Sequence, residues 1–146
     1  MSAERVILVD AEDRELGTAE KLDAHVRGLL HRAVSVLLFD ARGRTLLQRR
    51  AAGKYHSAGR WANACCSHPR PGEDAPVGGG LIEHELDHVF TGRFQGEPRP
   101  APDEVEAWEW RDAARLPGEV SAEPERYAAW LPLVLARLAA AGRLPP

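Results

Sequence analysis

Four groups of residues in this chain have the types and spacing to do chemistry. Cys65 and Cys66 stand side by side, with His68 two residues on, in the run Cys65-Cys66-Ser67-His68-Pro69. A thiol beside a cationic or metal-bound group has a tuned pKa and can act as nucleophile or proton donor. An inert buried thiol is the commoner case, and no C-x-x-C spacing exists here for a redox pair. Glu83 and Glu85, with Asp87 beyond, occupy alternate positions, which on a strand share one face. Carboxylates so close repel unless they share a proton or a cation. The group therefore reads either as a solvated strand face or as a metal or acid/base site. His25 and His31 lie upstream. Imidazole together with carboxylate suits Mn²⁺, Zn²⁺ or Mg²⁺, although the spacing matches no zinc finger. His56, His84 and His88 lack such support, and a strand would turn His84 and His88 away from Glu83 and Glu85. Last, Arg49, Arg50 and Lys54 cluster, with Lys21 upstream. Such cations bind phosphate, or else form an ordinary solvated basic edge. No Walker loop is present.

The elements that must position these groups are mostly strands. Arg5 to Val9 is a short apolar strand. Val34 to Asp40 and Thr45 to Arg50 read as a β-hairpin turned at Gly43. Ala51 to Arg60 reads as a loop and Trp61 to Cys66 as a short strand. Pro69 to Gly80 is the densest Pro/Gly cluster. Leu81 to Phe94 is expected to be one long strand, and Val105 to Arg111 another with one buried face. Asp112 to Leu116 suits a single helical turn. Glu123 to Gly142 reads as the one long helix, with Pro124 in its first turn, Pro132 as a local kink, and Tyr127, Leu131, Leu135 and Leu138 at helical spacing. Strands followed by a terminal helix make an α/β or α+β domain.

Composition narrows the function. At 146 residues the chain suits one domain, 1–146. Hydrophobic residues at 44% and charged residues at 28% are those of a globular chain. A net charge of −3 gives no basic stripe for nucleic acid. No apolar run reaches the roughly 18 residues of a membrane span, and the N-terminus lacks a signal-peptide layout. Two adjacent cysteines cannot staple distant segments, and they suit a reducing, cytoplasmic setting.

Taken together these features resemble the type I isopentenyl-diphosphate isomerases. The likeness runs through RVILVDAEDRELGTAEKLDAH, WANACCSHPRPGE, GGGLIEHELDHVFTGRF and DEVEAWEW, and covers nearly the whole chain. It implies an α/β, Nudix-like mixed β-sheet sandwich flanked by helices. It implies a metal-dependent isomerase converting isopentenyl diphosphate to dimethylallyl diphosphate in isoprenoid biosynthesis. On this resemblance His25, His31, His68, Glu83 and Glu85 would hold Mn²⁺, Zn²⁺ or Mg²⁺. Cys66 would be the catalytic thiol and Glu85 the opposing acid/base. Lys21, Arg50 and Lys54 would take the diphosphate, itself bound to Mg²⁺, and Trp61 and Trp130 would lie near the hydrocarbon end.

The chain departs from the family at two places. His25 and His31 stand one residue closer than is usual. More importantly, the family's Nudix helix region is absent: after Asp74 the chain passes through Ala75-Pro76-Val77 to Gly78. Roughly thirty residues are lacking, a stretch large enough to remove one layer of helix from the sheet. That stretch would carry a carboxylate for the diphosphate-bound Mg²⁺, an Arg and a Tyr. A chain without that stretch is expected to have little activity. The alternatives are a Nudix-type diphosphate hydrolase, or an inactive relative that has lost its lid.

Overall fold

The structure is a computed structural model, and it describes residues 4–53, 58–67, 80–82 and 85–145. Lys54, His56, His68, Glu83 and His84 lie outside the described residues, as does most of the Pro/Gly cluster. The chain divides into two compact units, Met1–Ser35 with Cys66–Phe90, and Val36–Cys65 with Thr91–Pro146.

In the first unit, β1 (Arg5–Val9) pairs antiparallel with β2 (Glu15–Glu20), in register from Arg5↔Glu20 to Leu8↔Gly17 and shifted by one residue at Val9↔Glu15. Asp10 builds the connecting turn: its Oδ1 accepts from the backbone N–H of Glu12 and Arg14, and its Oδ2 accepts from Arg14 Nε at 2.7 Å. Alternation along β1 buries both faces. Val6 packs with Ala19 and Ala24, and Ile7 and Val9 pack with Leu86. The short helix α1 (Lys21–Arg27) follows β2, and Gly28 closes it at φ +64°, in the left-handed conformation that glycine adopts without steric cost. Its N–H bonds back to the helix, and the chain turns into β3 (His31–Phe39), which meets β1 at Leu8↔His31.

The expected long strand over Leu81 to Phe94 is instead a hairpin. β7 (Gly80–Ile82) and β8 (Glu85–Arg93) pair antiparallel, with Gly80↔His88 and Ile82↔Leu86. The expectation that Glu83 and Glu85 share one strand face falls on Glu83, which lies outside the described residues. β8 also pairs with β3, as does β6 (Cys65–Ser67).

In the second unit the expected hairpin is present. β3 turns into β4 (Arg44–Arg50) with Phe39↔Thr45 paired. The turn repeats the device of the first unit: Asp40 Oδ1 accepts from the backbone N–H of Arg42 and Arg44, and Gly43 sits at φ +75°. β4 pairs with β5 (Trp61–Asn63) and, along its whole length, with β9 (Val105–Asp112). The expected strand Trp61 to Cys66 is thus two, β5 and β6, parted at Ala64.

The helical turn expected over Asp112 to Leu116 is a non-helical turn capped by the Asp112 carboxylate on the Ala114 N–H, and α2 (Leu116–Ala122) begins where it ends. The single helix expected over Glu123 to Gly142 is broken as well. A 3₁₀ turn (Pro124–Arg126) leads into extended backbone at Tyr127, and only then does α3 (Leu131–Ala140) start. Tyr127 bridges to Trp61, and the Ala128 N–H donates to the Trp61 carbonyl at 2.8 Å, a tertiary pairing that stops the helix. Pro132 sits in the first turn of α3, where its missing N–H has no helical partner to lose. Leu116, Val120, Tyr127, Leu131, Val134, Leu135 and Leu138 are buried, as are Leu37, Leu47 and Ala62 of the strands. Among the described residues no helix is long and apolar enough to cross a membrane.

Candidate functional site

The α1–β3 corner brings two of the sequence-derived ligands together. His25 occupies the last turn of α1 and His31 opens β3. Because Gly28 reverses the chain between them, the two rings meet edge to face with centroids 4.8 Å apart. His31 is buried, at 1% exposure, and His25 is half-buried. His25 Nδ1 lies 2.7 Å from the Lys21 carbonyl and His31 Nδ1 lies 2.9 Å from the Leu29 carbonyl. A carbonyl only accepts, so each neutral ring carries its proton on Nδ1 and keeps its lone pair on Nε2. A backbone carbonyl on the far nitrogen is the arrangement that orients an imidazole for a divalent ion. The donor chemistry therefore fits a borderline divalent metal. Among the described residues no third His, Cys, Asp or Glu completes such a group. His68 and Glu83 lie outside those residues, and Glu85 opens β8.

Cys66 lies half-buried in β6, while Cys65 beside it is exposed. Neighbouring atoms still crowd the Cys65 thiol enough that desolvation pushes its pKa up. The residues that hold this part of the chain escaped the sequence reading. Asn63, fully buried, donates through Nδ2 to the carbonyls of Val36 (3.1 Å) and Cys65 (2.8 Å). Gln48 Nε2 donates to the carbonyls of Asn63 and Ala64. These amides tie down the break between β5 and β6, where strand pairing lapses. An Asn within a run of small apolar residues was the only available signal.

Of the expected diphosphate-binding cations, Arg50 is not part of a solvated basic edge. It is buried, at 6% exposure, with its guanidinium 5.0 Å from the centroid of the Trp130 ring. Trp130 Nε1 in turn donates to Asn63 Oδ1 at 3.1 Å. Arg49, half-exposed, pairs with Glu106 at 2.9 Å. Lys21 Nζ pairs with Glu4 at 3.1 Å. Trp61 is half-buried on β5 next to Ala62 and Asn63. The second unit thus assembles Arg50, Trp130 and Asn63, and the first assembles His25 and His31.

Antiparallel β-hairpins, a strand β3 that pairs with β1, β4, β6 and β8, and α-helices are the features of a Nudix-fold α/β domain. The NUDIX domain family profile matches residues 29–79. Solved structures with this fold superpose well. A protein of Deinococcus radiodurans, DR0079, gives a TM-score of 0.80 at 18% identity, covering 92% of this chain and 98% of that one. The MutT protein of Methanosarcina mazei Go1 gives 0.63 at 16%, covering 78% and 96%.

Sequence similarity narrows the class further. The chain is 44% identical to isopentenyl-diphosphate Delta-isomerase 2 of Aromatoleum aromaticum, over 92% of this chain and 86% of that protein. It is 41% identical to the isopentenyl-diphosphate Delta-isomerase of Serratia proteamaculans, over 94% and 92%, and 42% identical to that of Streptomyces griseus, over 88% and 80%. The chain belongs to the isopentenyl-diphosphate delta-isomerase family. The Aromatoleum alignment runs over 163 positions although only 92% of these 146 residues take part, so about thirty positions have no counterpart here. That number matches the roughly thirty residues that the resemblance implies are lacking.

Proposed function

We propose that this protein converts isopentenyl diphosphate to dimethylallyl diphosphate, a step of isoprenoid biosynthesis, in a metal-dependent reaction in the cytoplasm. The observation that carries the proposal is the His25–His31 pair, held edge to face with each Nδ1 on a carbonyl, in a chain 44% identical to a named isomerase. His25 and His31, with His68, Glu83 and Glu85, would hold Mn²⁺, Zn²⁺ or Mg²⁺. Such an ion would fix the carboxylates and set the proton affinity of groups around it.

The reaction is a 1,3-proton shift. A proton adds to the terminal carbon of the alkene and leaves a tertiary carbocation. Loss of a proton from the carbon nearer the diphosphate then gives the trisubstituted alkene. One group must donate and another accept across the flat substrate, and Cys66 and Glu85 take these roles. An indole face stabilises a cation by up to about 2 kcal/mol when desolvated, which suits Trp61 and Trp130. Exclusion of water keeps the cation from capture as an alcohol. Lys21, Arg50 and Lys54 anchor the diphosphate with its own Mg²⁺, and this anchoring supplies position rather than bond-making.

Incubation with isopentenyl diphosphate and Mn²⁺, followed by proton NMR, tests the proposal. The expected result is loss of the terminal vinylidene signals and growth of a single internal alkene signal. Release of inorganic phosphate from nucleoside diphosphates, without alkene migration, would instead establish a Nudix-type hydrolase.

A further inference from the structure

Asp13 stands in a conformation that its own chain elsewhere assigns to glycine. The two hairpin turns share a pattern, Asp10-Ala11-Glu12-Asp13-Arg14 and Asp40-Ala41-Arg42-Gly43-Arg44. In both, the leading Asp accepts from two backbone N–H groups and from the closing Arg Nε. The fourth position is left-handed in each, φ +75° at Gly43 and φ +64° at Asp13. Among the described residues Asp13 is the only non-glycine with positive φ, and an L side chain there is strained relative to glycine. The turn itself does not need this carboxylate.

What the carboxylate does is join two strands. Its Oδ1 accepts from Arg32 Nε at 2.8 Å, and the Asp13 carbonyl accepts from a second Arg32 nitrogen at 2.8 Å. Its Oδ2 accepts from His88 Nε2 at 2.9 Å. Arg32 follows His31 on β3, and His88 lies three residues beyond Glu85 on β8. His88 is buried, at 3% exposure, and its Nδ1 has no hydrogen-bond partner. A leucine would fill that space without stranding a polar atom, so the imidazole is there for its bond to Asp13. A second link joins the same strands, from Ser35 Oγ to Asp87 Oδ2 at 2.6 Å, again with Asp87 buried. None of these five residues has a role in the reaction proposed above.

We infer that Asp13 is a positioning residue: through Arg32 and His88 it fixes β3 and β8 against each other, and so sets His31 against the start of β8, where Glu85 stands. This rests on the proposed isomerase site for its functional meaning, but the brace itself is separable from that proposal.

The test uses Asp13→Gly, which relieves the backbone while deleting the carboxylate, and a His88→Leu and His88→Gln pair. Asp13→Gly is expected to fold, to weaken Mn²⁺ binding at least tenfold by EPR titration, and to lower kcat at least tenfold with KM within twofold. His88→Leu should behave likewise. His88→Gln, whose amide can still donate to Asp13, should recover most of the loss. Wild-type Mn²⁺ affinity and kcat in Asp13→Gly, or a His88→Gln as impaired as His88→Leu, would overturn the inference. Should the wild-type protein neither bind Mn²⁺ nor isomerise, the proposed function fails, and amide exchange along β8 decides the brace alone. Faster exchange in His88→Leu that His88→Gln reverses upholds it, and equal protection in all three proteins rejects it.

Discussion

His25 and His31 present their Nε2 lone pairs from rings whose Nδ1 protons are both committed to backbone carbonyls, at the corner where α1 turns into β3. Two preset donors lower the cost of assembling a metal site. Chelation is expected to abolish isomerisation, with Mn²⁺, Mg²⁺ or Zn²⁺ restoring it. His25→Ala and His31→Ala should each weaken Mn²⁺ binding by at least about tenfold, read by EPR titration. Full turnover after exhaustive chelation would contradict this assignment.

The two thiols are expected to differ sharply. Burial raises the Cys65 pKa, so folding holds its proton and leaves little thiolate at neutral pH. In a Cys66→Ala protein, iodoacetamide labelling of Cys65 should be slow near pH 7 and rise only above the ordinary thiol range. Cys66→Ala and Glu85→Gln should each nearly abolish isomerisation and leave the fold intact, whereas Cys65→Ala should keep most of the activity. Comparable losses at Cys65 and Cys66 would remove the distinction.

Local patterns were legible and long-range ones were not. The β3–β4 hairpin announces itself through alternation and Gly43, because turn and strands lie within a few residues. Helix α1 does not: Leu22 and Val26 are 62% and 77% exposed and only Ala24 is buried, so no apolar stripe marks it. Gly28 was its one signal. The β7–β8 hairpin carries no Gly, Pro, Asn or Asp at Glu83-His84, so it reads as one strand. Apolar spacing runs straight through Tyr127, and only its pairing with Trp61 breaks the helix. The site followed the same rule. The nearness of His25 and His31 in sequence could be read directly, whereas Asn63 and Asp13 matter through partners 67 and 75 residues away.

Asn63 is expected to be among the most sensitive core positions. Asn63→Ala removes the acceptor of the Trp130 N–H and the donor to the carbonyls of Val36 and Cys65, bonds that are part-buried. At about 1–3 kcal/mol for a buried group left unsatisfied, with partial relaxation, the loss should be roughly 2–4 kcal/mol by urea unfolding. Asn63→Asp keeps the bond from Trp130 but cannot donate to the two carbonyls, and should fall between. A stability change below about 0.5 kcal/mol in Asn63→Ala, the usual size for an uninvolved surface position, would count against this network.

Arg50 and Trp130 are expected to separate binding from chemistry. The guanidinium is buried against the indole, where a cation and an aromatic face attract by about 0.5–2 kcal/mol. Arg50→Lys keeps the charge but not the planar fork. It should raise KM for isopentenyl diphosphate more than it lowers kcat, as expected for a group that grips the diphosphate in ground state and transition state alike. Trp130→Phe keeps a ring face and gives up the bond to Asn63, so its kcat should exceed that of Trp130→Ala by an order of magnitude or so. Equal rates in the two variants would take Trp130 away from the reacting carbons.

A segment missing after Asp74, as the resemblance implies, is expected to bear on rate rather than on fold. About thirty positions of the Aromatoleum alignment have no counterpart in this chain, and of the strands nearest Asp74, β6 pairs with β3 and β7 with β8. On the resemblance, that stretch supplies a carboxylate, an Arg and a Tyr around the diphosphate. Without them the substrate would be held by fewer groups and water would enter more easily, at a cost to both positioning and cation lifetime. Intact-mass measurement at 16.0 kDa fixes the starting chain. Inserting the relative's segment between Asp74 and Gly78 should then raise kcat/KM at least about a hundredfold, roughly 3 kcal/mol of transition-state stabilisation, and suppress alcohol by-product. An unchanged kcat/KM in a folded graft would mean that this chain has found another way to close its active site.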